Sequence, residues 1–294
     1  MGLNRMAFST KAPIPGQTLQ KHPLLSPEQV IDFRRLILSY YEAHGRDLPW
    51  RRTEDPYCIL VSEVMLQQTQ VERVLRAYPA FIARFPSLHA LAKATVAEVL
   101  AAWQGLGYNR RALALQRTAH LLVENHGATV PPNESLLASL PGIGRATAGS
   151  ICAFAFNMPT VFVETNIRTV FIHFFFPGQM PVRDVEILPL VDATLDRTNP
   201  RRWYSALMDY GVMLKKTHGN ASRRSLSYRR QSAFEGSDRQ VRGQILRLLV
   251  GSRKWTLRAL AAELGQSEER VARIADALAR EGFVTRQDGV IRLR

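Results

Sequence analysis

The chain has 294 residues with 39 Lys and Arg against 25 Asp and Glu, a formal net charge of +14 that favours a polyanionic partner such as nucleic acid. Its length and 46% apolar content suffice for one large domain or two to three modest ones. Two cysteines, Cys58 and Cys152, exclude a disulfide framework or a four-cysteine metal site, and no stretch reaches the roughly 20 apolar residues of a membrane span. A cytoplasmic, nucleoid-associated protein with no membrane partner is expected.

Residues 1–26 mix Pro, Gly, Gln and Lys without apolar periodicity and read as a flexible tail. Ser26-Pro27-Glu28 then supplies a cap and a first-turn proline that open a helix. Helical apolar spacing runs through Val30 to Tyr41, Ile59 to Phe81, Val96 to Trp103, Ala112 to Val123, Ser135 to Leu140, Thr147 to Phe156 and Ile167 to Phe175. No alternating strand pattern competes, so the fold class is mainly α, with one domain over 27–214. The stretch 215–236 opens with KKTHGNASRRSLSYRRQ, basic and without an acidic residue, and reads as a linker or a DNA-facing loop. Residues 237–294 form a small winged-helix-like domain: helices over Val241 to Val250, Leu257 to Leu264 and Glu268 to Arg280, then a hairpin turning at Asp288-Gly289. Glu269, Arg270, Arg273 and Arg280 on the third helix suit a major groove, although such domains also mediate protein contacts.

Three features carry chemistry. Glu63 sits in the apolar run Ile59-Leu60-Val61-Ser62-Glu63-Val64-Met65-Leu66, where a carboxyl losing hydration holds its proton and becomes a candidate general acid. An exposed Glu on a polar stripe of that helix is the alternative. Gln67, Gln68, Thr69 and Gln70 follow as an uncharged cluster able to bond base edges. In Leu140-Pro141-Gly142-Ile143-Gly144-Arg145, alternate glycines let backbone N-H groups approach a phosphate as a helix opens at Thr147; a plain helix-helix turn is the alternative. Glu164 ends the apolar run Val161-Phe162-Val163 ahead of Thr165-Asn166, where a helix dipole stabilises negative charge; a simple capping acid is the alternative. The seven histidines show no metal-ligand spacing, so no catalytic metal is expected.

Together with LPW at 48–50, PY at 56–57, SEVMLQQTQV at 62–71, WQGLGY at 103–108, LPGIGRATAG at 140–149 and LMDYGVM at 207–213, these residues resemble the helix-hairpin-helix DNA glycosylase superfamily, and within it the MutY-type adenine glycosylases. The resemblance implies a two-lobed fold that flips a mispaired base out of duplex DNA, a substrate partner containing adenine opposite 8-oxoguanine or G. Glu63 would protonate the leaving base and Glu164 would stabilise the oxocarbenium-like sugar and assist water. Gln67, Gln68 and Tyr108 would contact or wedge the opened duplex, and Gly142, Gly144, Arg145, Thr147 and Asn166 would hold DNA beside it.

Ala146 stands where bifunctional relatives carry a lysine nucleophile, so a monofunctional enzyme is implied. Glu164 stands where the family usually has Asp. Lys215, Ser222, Ser225 and Gln231 stand at the spacing of the family's four cluster cysteines, which implies no iron-sulfur cluster and no cofactor. Whether the hairpin carbonyls seat a monovalent cation stays open. The winged-helix-like segment replaces the family's lesion-inspecting C-terminal domain. A monomer is expected; excision of uracil or thymine opposite G, or a catalytically weak DNA-binding module, are the alternatives.

Overall fold

The computed structural model describes residues 25–231, 233–251, 254–287 and 289–294. The tail expected over 1–26 therefore lies outside the described residues up to position 24, as does the turn residue Asp288.

The first helix, α1 (Pro27–His44), starts where the sequence predicts: Ser26 accepts from the Gln29 N-H while the Gln29 side chain accepts from the Ser26 N-H, and Pro27 presets the first turn. It packs with α9 (Thr165–Phe175), α10 (Asp184–Thr194) and α11 (Pro200–Thr217) around Phe33, Ile37, Phe171, Trp203 and Tyr204. The second lobe is made of α2 (Pro56–Leu66), α3 (Val71–Arg84), α4 (Leu88–Lys93), α5 (Val96–Ala102), α6 (Arg110–Asn125), α7 (Glu134–Ser139) and α8 (Arg145–Phe156), around Leu60, Val64, Phe81, Trp103 and Leu122. Ile59 of α2 and Phe154 of α8 belong to the first core while their neighbours belong to the second, so these two helices form the seam between lobes. No helix of the described residues is long and apolar enough to cross a membrane.

The helix expected from Ile59 to Phe81 is broken. α2 stops at Leu66 and α3 begins at Val71, with Gln68 at φ 53° between them. The cause is Arg111, 9% exposed, whose Nη1 donates to the carbonyls of Val64, Met65 and Gln67, the last turn of α2, which would otherwise lack partners. α4, α10 and α11 were not among the predicted helices; α10 contains Pro189, which interrupts its pattern.

α11 runs through to Thr217, so the boundary expected after 214 falls inside a helix. Ser222 and Ser225 are buried, and the Val182 N-H donates to the Arg224 carbonyl while the Leu226 N-H donates back to Val182. Residues up to 225 are thus part of the first lobe, and only from Leu226 does the chain run exposed.

The C-terminal unit follows the expected order with one added strand: α12 (Asp238–Gly251), β1 (Lys254–Thr256), α13 (Leu257–Leu264), α14 (Glu268–Arg280), β2 (Val284–Gln287) and β3 (Val290–Leu293), the antiparallel sheet running β1-β3-β2. Trp255 pairs with Ile291, and Thr285 with Arg292. Its core of Val241, Ile245, Val271, Leu278, Phe283 and Ile291 is continuous with that of the second lobe, on which α12 packs through α5. Of the three α14 arginines expected to face a groove, Arg280 is exposed and the other two are engaged within the protein. Arg270 and Arg273 are both bound to Asp238, at 2.9 and 2.8 Å.

Candidate active site

α2 is apolar on nearly every side because it is wedged between two cores, and this strands Glu63 at the seam. The carboxylate is surrounded by protein but faces a cavity. Its Oε2 lies 2.5 Å from the Ser150 hydroxyl of α8, and that hydroxyl lies 2.9 Å from the Thr147 carbonyl. A serine has one proton and a carbonyl only accepts. With Glu63 ionised, Ser150 donates to it; with Glu63 protonated, Glu63 donates to Ser150 and Ser150 donates to Thr147. The site therefore bonds both states. Burial raises the Glu63 carboxyl to about 7, reinforced by the charge of Glu164 and opposed by the Ser150 hydrogen bond and by Arg51. A carboxyl near neutrality can hold a proton and release it, which is what general acid catalysis needs.

Glu164 is treated differently. It is the N-cap of α9: one oxygen accepts from the Asn166 and Ile167 N-H groups at 2.7 and 2.8 Å, and the other from the Asn166 side-chain amide at 3.2 Å. Three donors at the first turn of α9 thus hold both of its oxygens in place. The Asn166 amide oxygen in turn accepts from Lys215 Nζ at 2.7 Å, so Lys215 fixes which way that amide points. α11 reaches close enough for this because Gly211 abuts Asn166; a Cβ there would lie 2.5 Å from the Asn166 carbonyl. Lys215→Met should leave Asn166 free to turn and slow the step that depends on Glu164 by roughly 10- to 100-fold. Lys215→Arg should recover most of the rate; equal rates for all three proteins would contradict the positioning role.

The two carboxylates line one cavity of about 280 Å³, together with Arg51, Gln67, Thr147, Ser150 and Asn166. That volume is at the small end for ligand sites. Arg51 and Arg46 are held by Asp209, which is almost fully buried and accepts from both. Burial pushes the Asp209 carboxyl up, but the two arginines more than offset it and hold it below its ordinary value. Ser150 and Asp209 were not singled out in the sequence, and Lys215 was named only at the spacing of a cluster cysteine, not as a partner of Asn166. Only Ser150 carried a legible signal, one turn after Thr147 on the helix that leaves the hairpin.

The hairpin stands beside this cavity. Gly142 has φ 75° and a Cβ there would meet the Ala114 Cβ at 2.7 Å, so its glycine is required twice over. Gly144 has an ordinary φ of −85° as the N-cap of α8, and the space before it is open. Arg145 is exposed beside it, with no side-chain partner among the described residues. Gln67 faces the cavity, but its amide is spent on the hairpin, donating to the Gly142 carbonyl at 3.0 Å and to Thr147 at 3.2 Å. Gln68 and Tyr108 lie outside regular elements in left-handed conformations, both exposed, and Tyr108 does not line the cavity. Arg111 links them, bonding the turns that carry each and lying 5.6 Å from the Tyr108 ring. Arg111→Met should cost about 3 kcal/mol or more, because several buried carbonyls lose their donor, and it should lower the melting temperature accordingly.

Ala146 lines the cavity between Arg145 and Thr147. The positions matched to the cluster cysteines hold an ammonium bonded to Asn166, two buried hydroxyls and an amide. These donors do not fit an iron-sulfur cluster.

A model of the HhH-GPD superfamily of base excision DNA repair proteins matches residues 61–188. The chain is 37% identical over 237 residues to an adenine DNA glycosylase of Mycolicibacterium smegmatis, covering 74% of this chain and 80% of that protein. It is 34% identical over 236 residues to the adenine DNA glycosylase of Mycobacterium tuberculosis, covering 72% and 77%. Against the adenine DNA glycosylase of Homo sapiens the identity is 38% over 196 residues, 63% of this chain but 36% of that longer protein. Among solved structures, a thermostable thymine-DNA glycosylase superposes with a TM-score of 0.60 at 24% identity, over 67% of this chain and 92% of its own. A non-covalent endonuclease III-DNA complex gives 0.52 at 19% identity, over 66% and 87%. At such identities the superpositions speak to the fold alone.

Proposed function

Because the chain belongs to the adenine DNA glycosylases of the HhH-GPD superfamily, we propose that it hydrolyses the N-glycosidic bond of a flipped adenine, mispaired with 8-oxoguanine or G, and leaves an abasic site. The observation that carries this reading is the pair Glu63 and Glu164 on one cavity, one carboxyl raised to about 7 and the other seated on backbone donors at a helix N-terminus.

Glu63 gives its proton to a ring nitrogen of the base, which leaves with the bonding electron pair as neutral adenine. Glu164 faces the cation that develops on the sugar, and water adds to the anomeric carbon, giving up a proton to the carboxylate pair. Ser150 keeps Glu63 bonded before and after the proton leaves. No step calls for a cofactor. Ala146 offers no amine for a Schiff base, so the enzyme is monofunctional. One chain supplies both carboxylates and the hairpin, so the site is complete in a monomer.

The test is base release under single-turnover conditions from duplexes carrying A opposite 8-oxoguanine, A opposite G, U opposite G and T opposite G, with borohydride trapping alongside. Release of adenine without a trapped adduct supports the reading; a trapped adduct would overturn monofunctionality, and release of another base would overturn the substrate. The rate should fall as pH rises through about 7, since Glu63 acts only when protonated. A flat profile from about pH 5 to 9 would contradict its role as the acid.

A further inference from the structure

The C-terminal unit is fixed to the second lobe by a charged junction. Glu281, just after α14, accepts from Arg110 of α6 at 2.7 and 2.6 Å and from Arg242 of α12, and its carbonyl accepts from Arg117 at 2.9 Å. Burial pushes the Glu281 carboxyl up, yet the two guanidinium groups hold it at about 2, so the junction stays charged at neutral pH. The shared apolar core makes the same connection from inside.

This docking has a consequence for the chain that joins the two parts. Leaving the first lobe at Ser225, it runs exposed to Gln231, whose amide donates to the Gln68 side chain at 3.4 Å. A little further on, Arg239 of α12 reaches the Tyr108 hydroxyl at 3.4 Å. The joining strap is thus held at Gln68, which lines the cavity, and the start of α12 at Tyr108. Tyr228, Arg229 and Arg230 on the strap are exposed, and the two arginines have no carboxylate, carbonyl or ring partner among the described residues. α14, by contrast, has two of its arginines bound to Asp238 and carries a bond from Arg286 to Asp276.

We infer that Arg229 and Arg230, with Tyr228 between them and the first lobe, are a DNA-backbone contact beside the flipped base, and that the C-terminal unit meets DNA through this strap rather than through α14. Unpaired guanidinium groups next to an aromatic are suited to phosphate and sugar. The glycine hairpin grips one side of the opened duplex, and the strap grips the side next to Gln68 and Tyr108. The inference rests on the glycosylase reading only in that the ligand is duplex DNA.

Equilibrium binding of the full chain to a duplex with a hydrolysis-resistant 2′-fluoro-adenosine opposite 8-oxoguanine, followed from about 50 to about 200 mM salt, tests it. The Arg229→Ala/Arg230→Ala double variant should bind about tenfold more weakly at low salt, with the slope of log K against log salt reduced by about 2. Both residues are exposed and unpaired, so its melting temperature should match the wild type. Arg273→Ala/Arg280→Ala on α14 should leave the slope unchanged. An unchanged slope in the strap variant, or a loss confined to the α14 variant, would overturn the inference. Strap-dependent binding with no adenine released from the ordinary substrate would support the strap and overturn only the glycosylase reading.

Discussion

Glu63→Gln is expected to lower single-turnover base release by about 10² to 10⁴ while leaving duplex binding intact. The loss follows from chemistry, since an amide cannot donate the proton that carries the base away, and general acid catalysis contributes about 10² to 10⁴ in rate. The fold should gain from the same change. Because burial raises the Glu63 carboxyl from 4.5 to about 7, the folded state binds this proton more tightly than the unfolded chain does. Stability tied to this group is therefore greatest below about pH 4.5 and is lost as pH rises toward about 7, on the order of 3 kcal/mol at most. Glu63→Gln removes that penalty. Its melting temperature should exceed the wild type by several degrees at pH 8 and match it near pH 4.5. A variant that is inactive and also less stable at pH 8 would point to a structural role for Glu63.

Glu164→Gln should lower the rate by about 10² to 10³, the usual scale for removing one preorganised charge stabiliser. The amide oxygen can still cap α9, so the helix N-terminus and the melting temperature should change little; what is lost is the negative charge facing the sugar. Glu164→Asp separates charge from reach. The capping oxygen already sits 2.7 and 2.8 Å from its two N-H donors, and a chain one methylene shorter can keep those bonds only by drawing its other oxygen back from the cavity. A rate lowered by about tenfold is expected, well above that of Glu164→Gln. If Glu164→Gln retains full activity, the sugar cation is stabilised by something else.

The apolar periodicity carried most of the helices, because a helix that buries one stripe must repeat that stripe every three to four residues. It failed at Gln67 to Gln70. There the apolar residues continue on both sides and the break is imposed from 44 to 47 residues away by Arg111, a tertiary donor no local pattern announces. It also failed at α11, which the motif LMDYGVM crosses: the helix was hidden by the basic run that starts at Lys215, inside its last turn. The two carboxylates were legible because one interrupts an apolar run and the other precedes capping residues. The pairings around them were not: Ser150 could be placed on the helix that leaves the hairpin, but it bonds Glu63 from 87 residues away, and Lys215 bonds Asn166 from 49. The third helix of the C-terminal unit shows the opposite limit. Its arginines suggested a DNA-reading face, and only the fold reveals that Asp238 occupies two of them.

The most direct test is detection of free base after a single turnover on a duplex carrying adenine opposite 8-oxoguanine, with wild type and Glu63→Gln compared at pH 7 and equal occupancy. Free adenine from the wild type and about 10²- to 10⁴-fold less from the variant is the predicted result. Full occupancy by both proteins with no adenine from either, or release undiminished in the variant, would contradict the account.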